Sequence, residues 1–176
     1  MTMQYAPIPV LGFAAFSGTG KTTLLTQVIP ILKSHGLRIG LVKHSHHDFQ
    51  IDQPGKDSFR LREAGASPVI LVSTHRRAII TEITPVQEPR LDEQLKLFDP
   101  SELDLILVEG FKAERFPKIE LHRPSMQKPL LYPDDPDIFA VATDVALSTP
   151  DTLTLLDINQ PDEIAGFILN QFMQSL

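Results

Sequence analysis

"FAAFSGTGKTTLL", residues 13–25, decides the fold. An apolar run, a glycine-bearing loop and leucines at helical spacing follow one another, which reads as strand, loop, helix. The pattern G-x-x-x-x-G-K-[ST] appears across Ala15, Phe16, Ser17, Gly18, Thr19, Gly20, Lys21 and Thr22, with alanine standing for the first glycine. The chemistry needs this spacing. Gly18 and Gly20 let successive N–H groups of the segment from Ser17 through Thr19 curl around a phosphate, at which the helix start also aims its partial positive charge. Lys21 adds a point charge on the outer phosphates and the Thr22 hydroxyl is a ligand for Mg²⁺ between them, with Thr23 in reach of the α-phosphate.

Outward from this loop, residues 21–35 continue as a helix closed by Gly36, with a kink expected at Pro30. "LRIGLVKH" (37–44) is a second strand, and "DSFRLREAG" (57–65) a helix with aspartate or serine as its cap. "PVILVS" and "RRAIITEI" are two strands joined by a tight turn near residues 74–76, and "RLDEQLKLF" is a short helix. "LDLILVEGF" (103–111) has no polar alternation, as expected of a central strand covered on both faces. "KIELHR", "IFAVATD" and "TLTLLDIN" read as further strands and "PDEIAGFILNQFM" as a terminal amphipathic helix. Residues 112–137, with five of the 15 prolines, read as an excursion outside the core. The fold expected is an α/β, three-layer P-loop NTPase fold: a mostly parallel central sheet, helices on both faces, and some antiparallel additions. Ligands in such sheets sit beyond the carboxyl ends of the strands.

The 176 residues suit one domain, residues 1–176. A net charge of -6 disfavours nucleic acid and acidic membranes as partners. No cysteine is present, which excludes disulfides, thiolate zinc sites and iron–sulfur clusters. The apolar start "MTMQYAPIPVLGFAAF" lacks a basic leader and reads as a strand, and no run reaches the length of a membrane helix. A soluble, cytoplasmic protein is expected.

A P-loop site usually takes an acid from a neighbouring strand for its metal. Glu109, ending "LDLILVEG", is the candidate; Gly110 behind it lets the backbone pass close to the γ-phosphate, and Lys112 could pair with either Glu109 or phosphate. "VKHSHHDFQIDQPGKDS" (42–58) collects Lys43, His44, His46, His47, Asp48, Asp52 and Asp57 at the same edge, as suits a switch region. Asp48 is the choice there for the metal or its water, and Lys21 and Asp48 are the candidate catalytic residues. For the base, Asp144 in "AVATDV" could accept from the N1–H and amine of guanine, and Asn159 opens a partial imitation of Asn-Lys-x-Asp, although asparagine before Pro161 is also a helix start.

With these blocks placed, the chain resembles the molybdopterin-guanine dinucleotide biosynthesis protein B family along nearly its whole length, through "FAAFSGTGKTTLL", "GLVKHSHHD", "PGKDSFRLREAGA", "LDLILVEGFK", "AVATDV" and "LLDIN". The resemblance implies a GTP-binding adapter of molybdenum cofactor biosynthesis with weak intrinsic hydrolysis, in form a homodimer. The cofactors it implies are GTP and Mg²⁺. The partner it implies is the guanylyltransferase that joins GMP to molybdopterin, with contact to molybdopterin itself left open. Two alternatives remain on the residues alone. One is a small-molecule kinase with Asp48 or Asp57 as base; the other is a GTPase that loads nickel through His44, His46 and His47.

Overall fold

The computed structural model describes residues 8–45 and 49–175. Its elements are β1 (Val10–Ala14), α1 (Lys21–Ser34), β2 (Ile39–Lys43), α2 (Asp57–Glu63), β3 (Val69–Val72), β4 (Arg77–Ile80), α3 (Leu91–Leu95), β5 (Leu105–Glu109), β6 (Lys118–His122), β7 (Ile138–Thr143), β8 (Thr154–Asp157) and α4 (Pro161–Phe167). Six strands form one sheet in the order β2-β5-β1-β6-β7-β8, and every pairing in it is parallel. The expected antiparallel additions exist but do not join it: β3 and β4 pair with each other in a sheet of their own. Two compact units result, residues 45–89 with that hairpin and α2, and the remainder with the large sheet.

The apolar run of β5 has the reason expected of it. Leu105 and Leu107 enter one core cluster with α1 and α4, while Ile106 and Val108 enter a second with Leu91 and Leu95 of α3. A strand covered on both faces has no polar positions to spare. In α1 the buried residues Leu24, Leu25, Val28 and Leu32 form the stripe that meets the sheet, and the helix runs through Pro30 as one element. At the other end, Pro161 opens α4, a turn that lacks intrahelical donors in any case, and a π turn at Ile168–Phe172 follows.

Two expectations need correction. Residues 112–137 are not an excursion outside the core: they contain β6, all five of whose residues are buried. Two of its polar residues, Lys118 and Glu120, tolerate this because they find partners. Lys118 Nζ donates to the Glu114 carbonyl (2.7 Å) and to Asp135 (3.0 Å), and Glu120 accepts the N–H groups of Leu131 (2.8 Å) and Tyr132 (2.9 Å). Nor is α2 capped by aspartate or serine. Its cap position is Lys56, with no side-chain bond, and Ser58 instead donates to Asp52 Oδ1 at 2.9 Å.

At the amino end of β2, Arg38 grips Asp104 through its backbone N–H (2.7 Å), Nε (3.0 Å) and Nη2 (2.9 Å). These bonds hold the Asp104 carboxyl down to about 2. A depressed carboxyl stabilises the fold at pH above its unfolded value near ~3.9 and loses that contribution as pH falls through about 2. Asp104→Asn should therefore flatten the acid limb of a pH-dependent unfolding curve in that window. Because the pair is exposed, the difference should shrink with added salt. Among the described residues no helix is long and apolar enough to cross a membrane.

Candidate functional site

The loop after β1 meets α1 with both glycines in the left-handed region, Gly18 at φ 86° and Gly20 at φ 99°. Ala15 is buried and has no positive φ, which is why alanine serves where the pattern has glycine. Thr19 turns inward, donating from Oγ1 to the Phe16 carbonyl at 2.8 Å, and so holds the loop closed on itself. The first N–H of α1 to fold back is that of Leu24, onto Gly20 at 2.9 Å. Those of Lys21, Thr22 and Thr23 lie ahead of it in the first turn, where no intrahelical acceptor exists. Other helices place acids there, Asp57 in α2, Asp92 and Glu93 in α3, Asp162 and Glu163 in α4. The first turn of α1 has no acid and no side-chain cap, so its positive end is left for an anion.

The end of β5 lies level with this loop, since Phe13 pairs with Glu109 and Lys43 pairs with Glu109 from the other side. Glu109 Oε1 stands 3.4 Å from both Lys21 Nζ and Lys43 Nζ, with its side chain 14% exposed. Glu109, the acid expected for the metal, is therefore placed beside the lysine of the loop and paired with it. Thr22 and Glu109 offer hard oxygen donors, the chemistry Mg²⁺ prefers. Among the described residues no group of three or more histidine and carboxylate side chains converges on a metal-sized site. Lys112 is lowered from the usual lysine range, first by burial and then by the charge of Lys21.

Behind Glu109 the chain turns through two left-handed residues, Gly110 at φ 96° and Phe111 at φ 52°. The close approach that Gly110 permits is to His44: a Cβ there would lie 2.7 Å from the His44 Cβ. The His44 ring packs on Phe111 with centroids 4.8 Å apart. Of the other predicted loop residues, His46, His47 and Asp48 lie outside the described residues. Asp52 and Asp57 belong to the smaller unit. There Asp52 is buried and tied to Ser58 and to the Gln53 N–H (3.0 Å), and Asp57 opens α2.

On the other side of the loop the parallel register brings three strand ends together. His122 pairs with Thr143 and Thr143 with Asp157, so Arg123, Asp144 and Asn159 follow neighbouring strands at one edge. Arg123 donates to the Thr19 carbonyl (Nε, 3.1 Å), to Asp144 Oδ2 (Nη1, 2.5 Å) and to Asn159 Oδ1 (Nη2, 3.0 Å). A cavity of about 340 Å³ opens beside it, with Gly18, Thr19, Gly20, Thr23, Arg123 and Asn159 in its wall. Asp144, the sequence candidate for the base, stands behind Arg123 rather than in that wall. Arg123 itself was missed; the available signal was its place just after a strand, on the ligand edge of the sheet.

A parallel sheet with this loop at the carboxyl end of β1 and an acid at the end of β5 defines a protein of the P-loop NTPase class. Within that class, residues 10–144 match the family model MobB, described as molybdopterin guanine dinucleotide synthesis protein B, and the chain belongs to that family. It is 51% identical over 163 residues to the molybdopterin-guanine dinucleotide biosynthesis adapter protein of Haemophilus influenzae, covering 93% of this chain and 89% of that one. It is 48% identical to the protein of the same name from Escherichia coli, covering 95% of this chain and 94% of the relative. A crystal structure of molybdopterin-guanine biosynthesis protein B superposes with a TM-score of 0.69 at 26% identity, over 91% of this chain and 97% of the other.

Proposed function

We propose that this chain is a GTP-binding adapter of molybdopterin guanine dinucleotide biosynthesis, assisting the guanylyltransferase that attaches GMP to molybdopterin. The carrying observation is the start of α1, where Lys21 and two left-handed glycines stand at a helix end without cap or acid, with a cavity of about 340 Å³ beside them. The adapter names of the full-length relatives support the same role. Lys21 and the first-turn N–H groups hold the phosphates, and Thr22 and Glu109 hold Mg²⁺. That ion neutralises charge on the phosphate oxygens when bound.

Hydrolysis by the isolated chain is slow in this reading. Lys21 offsets charge developing on the γ-phosphate, but no arginine finger is identified, and no glutamine is assigned to orient the attacking water. The protein acts in the cytoplasm and as a homodimer. The hairpin of β3 and β4, which turns the paired Ile70 and Ile79 and the neighbouring Val72 outward, supports a second copy there.

Calorimetric titration with GTP and ATP at matched Mg²⁺ tests the reading: a preference for GTP supports it, and tighter ATP binding sinks it. Glu109→Gln should leave GTP binding measurable without metal but reduce the gain that Mg²⁺ brings. Loss of one charge-assisted contact is worth about 1.5–3 kcal/mol, roughly 10- to 150-fold in affinity. An unchanged Mg²⁺ dependence would remove Glu109 from the metal site.

A further inference from the structure

Arg123 connects the phosphate loop to two other strand ends, and its bonds fix what it can still do. A guanidinium has five N–H donors and no acceptor. Nε and one N–H on each of Nη1 and Nη2 are engaged by Thr19, Asp144 and Asn159, so one donor remains on each terminal nitrogen. Because Arg123 only donates, the Asn159 amide must present its oxygen to it and turn its NH₂ group away. Arg123 and Asn159 both line the cavity next to the loop, and Asp144 does not. The two free N–H groups of Arg123 and the NH₂ of Asn159 are therefore the donors these side chains have left to offer a ligand in the cavity.

Purine bases differ in what they show to such a wall. Guanine carries two adjacent acceptors, O6 and N7, whereas adenine sets an amino donor beside N7. Donors facing O6 and N7 are all satisfied; against adenine, N–H meets N–H and one buried group is left without a partner. Arg123 is also held before any ligand arrives, by bonds to three elements, which lowers the ordering cost of using it.

We propose that Arg123 is the specificity-determining residue for the base. With Asn159 it reads the O6/N7 edge of a 6-oxopurine, while Asp144 is a positioning residue that holds the guanidinium from behind. The inference rests on the GTP reading above and names the contact that selects the base.

The test compares GTP, ITP, XTP and ATP on the wild-type protein, Arg123→Lys and Asp144→Asn, with inorganic tripolyphosphate as a probe of the loop alone. ITP keeps O6 and N7 but lacks the exocyclic amine, so it should bind about as tightly as GTP, while ATP should be weaker by roughly 5- to 100-fold. Arg123→Lys keeps the charge but loses the planar fork, so the preference for GTP over ATP should collapse while tripolyphosphate affinity stays. XTP, which also keeps O6 and N7, should likewise bind the wild type about as tightly as GTP, and Asp144→Asn should reduce the preference over ATP for all three 6-oxopurines alike.

Three results would overturn the assignment: an Arg123→Lys protein with the wild-type GTP-to-ATP ratio, ITP as weak as ATP, or wild-type rejection of XTP that Asp144→Asn relieves. The last two would place Asp144 on the N1–H and amine edge. If Arg123→Lys also loses tripolyphosphate, the Thr19 contact has failed, and the ITP and Asp144→Asn results, which leave that contact intact, decide alone. Wild-type protein that binds tripolyphosphate without base preference refutes the role of Arg123 and leaves the phosphate loop standing. Wild-type protein that binds none of these refutes the GTP reading, and the base assignment with it.

Discussion

Lys21→Ala is expected to weaken GTP binding by roughly 30- to 1,000-fold, the equivalent of about 2–4 kcal/mol for removing one member of a largely desolvated charge pair. The Lys21 side chain is 16% exposed, so water replaces little of the lost ammonium, and the first-turn N–H groups that remain carry only partial charge. The fold should survive. Glu109 keeps Lys43 at 3.4 Å, so its carboxylate is not left alone, and the buried stripe of α1 begins three residues later at Leu24. A titration that shows loss of binding together with an unchanged melting temperature would match; unaltered affinity would dismiss the loop as a phosphate site.

The largest effect on stability is expected at Gly110. Gly110→Ala places a side chain at φ 96°, and its Cβ would lie 2.7 Å from that of His44. Left-handed strain costs about 1–2 kcal/mol and relieving the contact about 1–3 more, so denaturant unfolding should show a loss of roughly 2–5 kcal/mol. Gly20→Ala is the control, since it has φ 99° but nothing within 4 Å of the added methyl, and should lose only the backbone part. Equal losses at the two positions would mean that His44 yields freely, and that the packing of His44, Gly110 and Phe111 does not fix the turn after Glu109.

What the sequence showed plainly was whatever depends on local pattern. The phosphate loop sits in a fixed spacing, and β5 carries an unbroken apolar run because both of its faces are covered. The segment around β6 misled because its five prolines and its charges, Lys118 and Glu120 among them, have the composition of a surface excursion. The burial of Lys118 and Glu120 depends on Asp135 and on the N–H groups of Leu131 and Tyr132, partners 11 to 17 residues away that no periodicity encodes. Burial still acts on this group: it pushes the Glu120 carboxyl up, against the two N–H bonds that favour its charge.

Arg123 was hidden for a related reason. Its three partners lie 21, 36 and 104 residues away, and only the parallel order β1-β6-β7-β8 sets them side by side. The separate pairing of β3 with β4 is likewise a matter of which edge a strand finds. Their alternation was legible, but the sheet they join was not.

The adapter role is tested most directly by the rate at which purified guanylyltransferase forms molybdopterin guanine dinucleotide at limiting GTP, with and without this protein. Acceleration by the wild-type chain that Lys21→Ala fails to give is the predicted result. An equal rate in all three reactions, or equal acceleration by wild type and variant, would contradict a role that works through bound GTP.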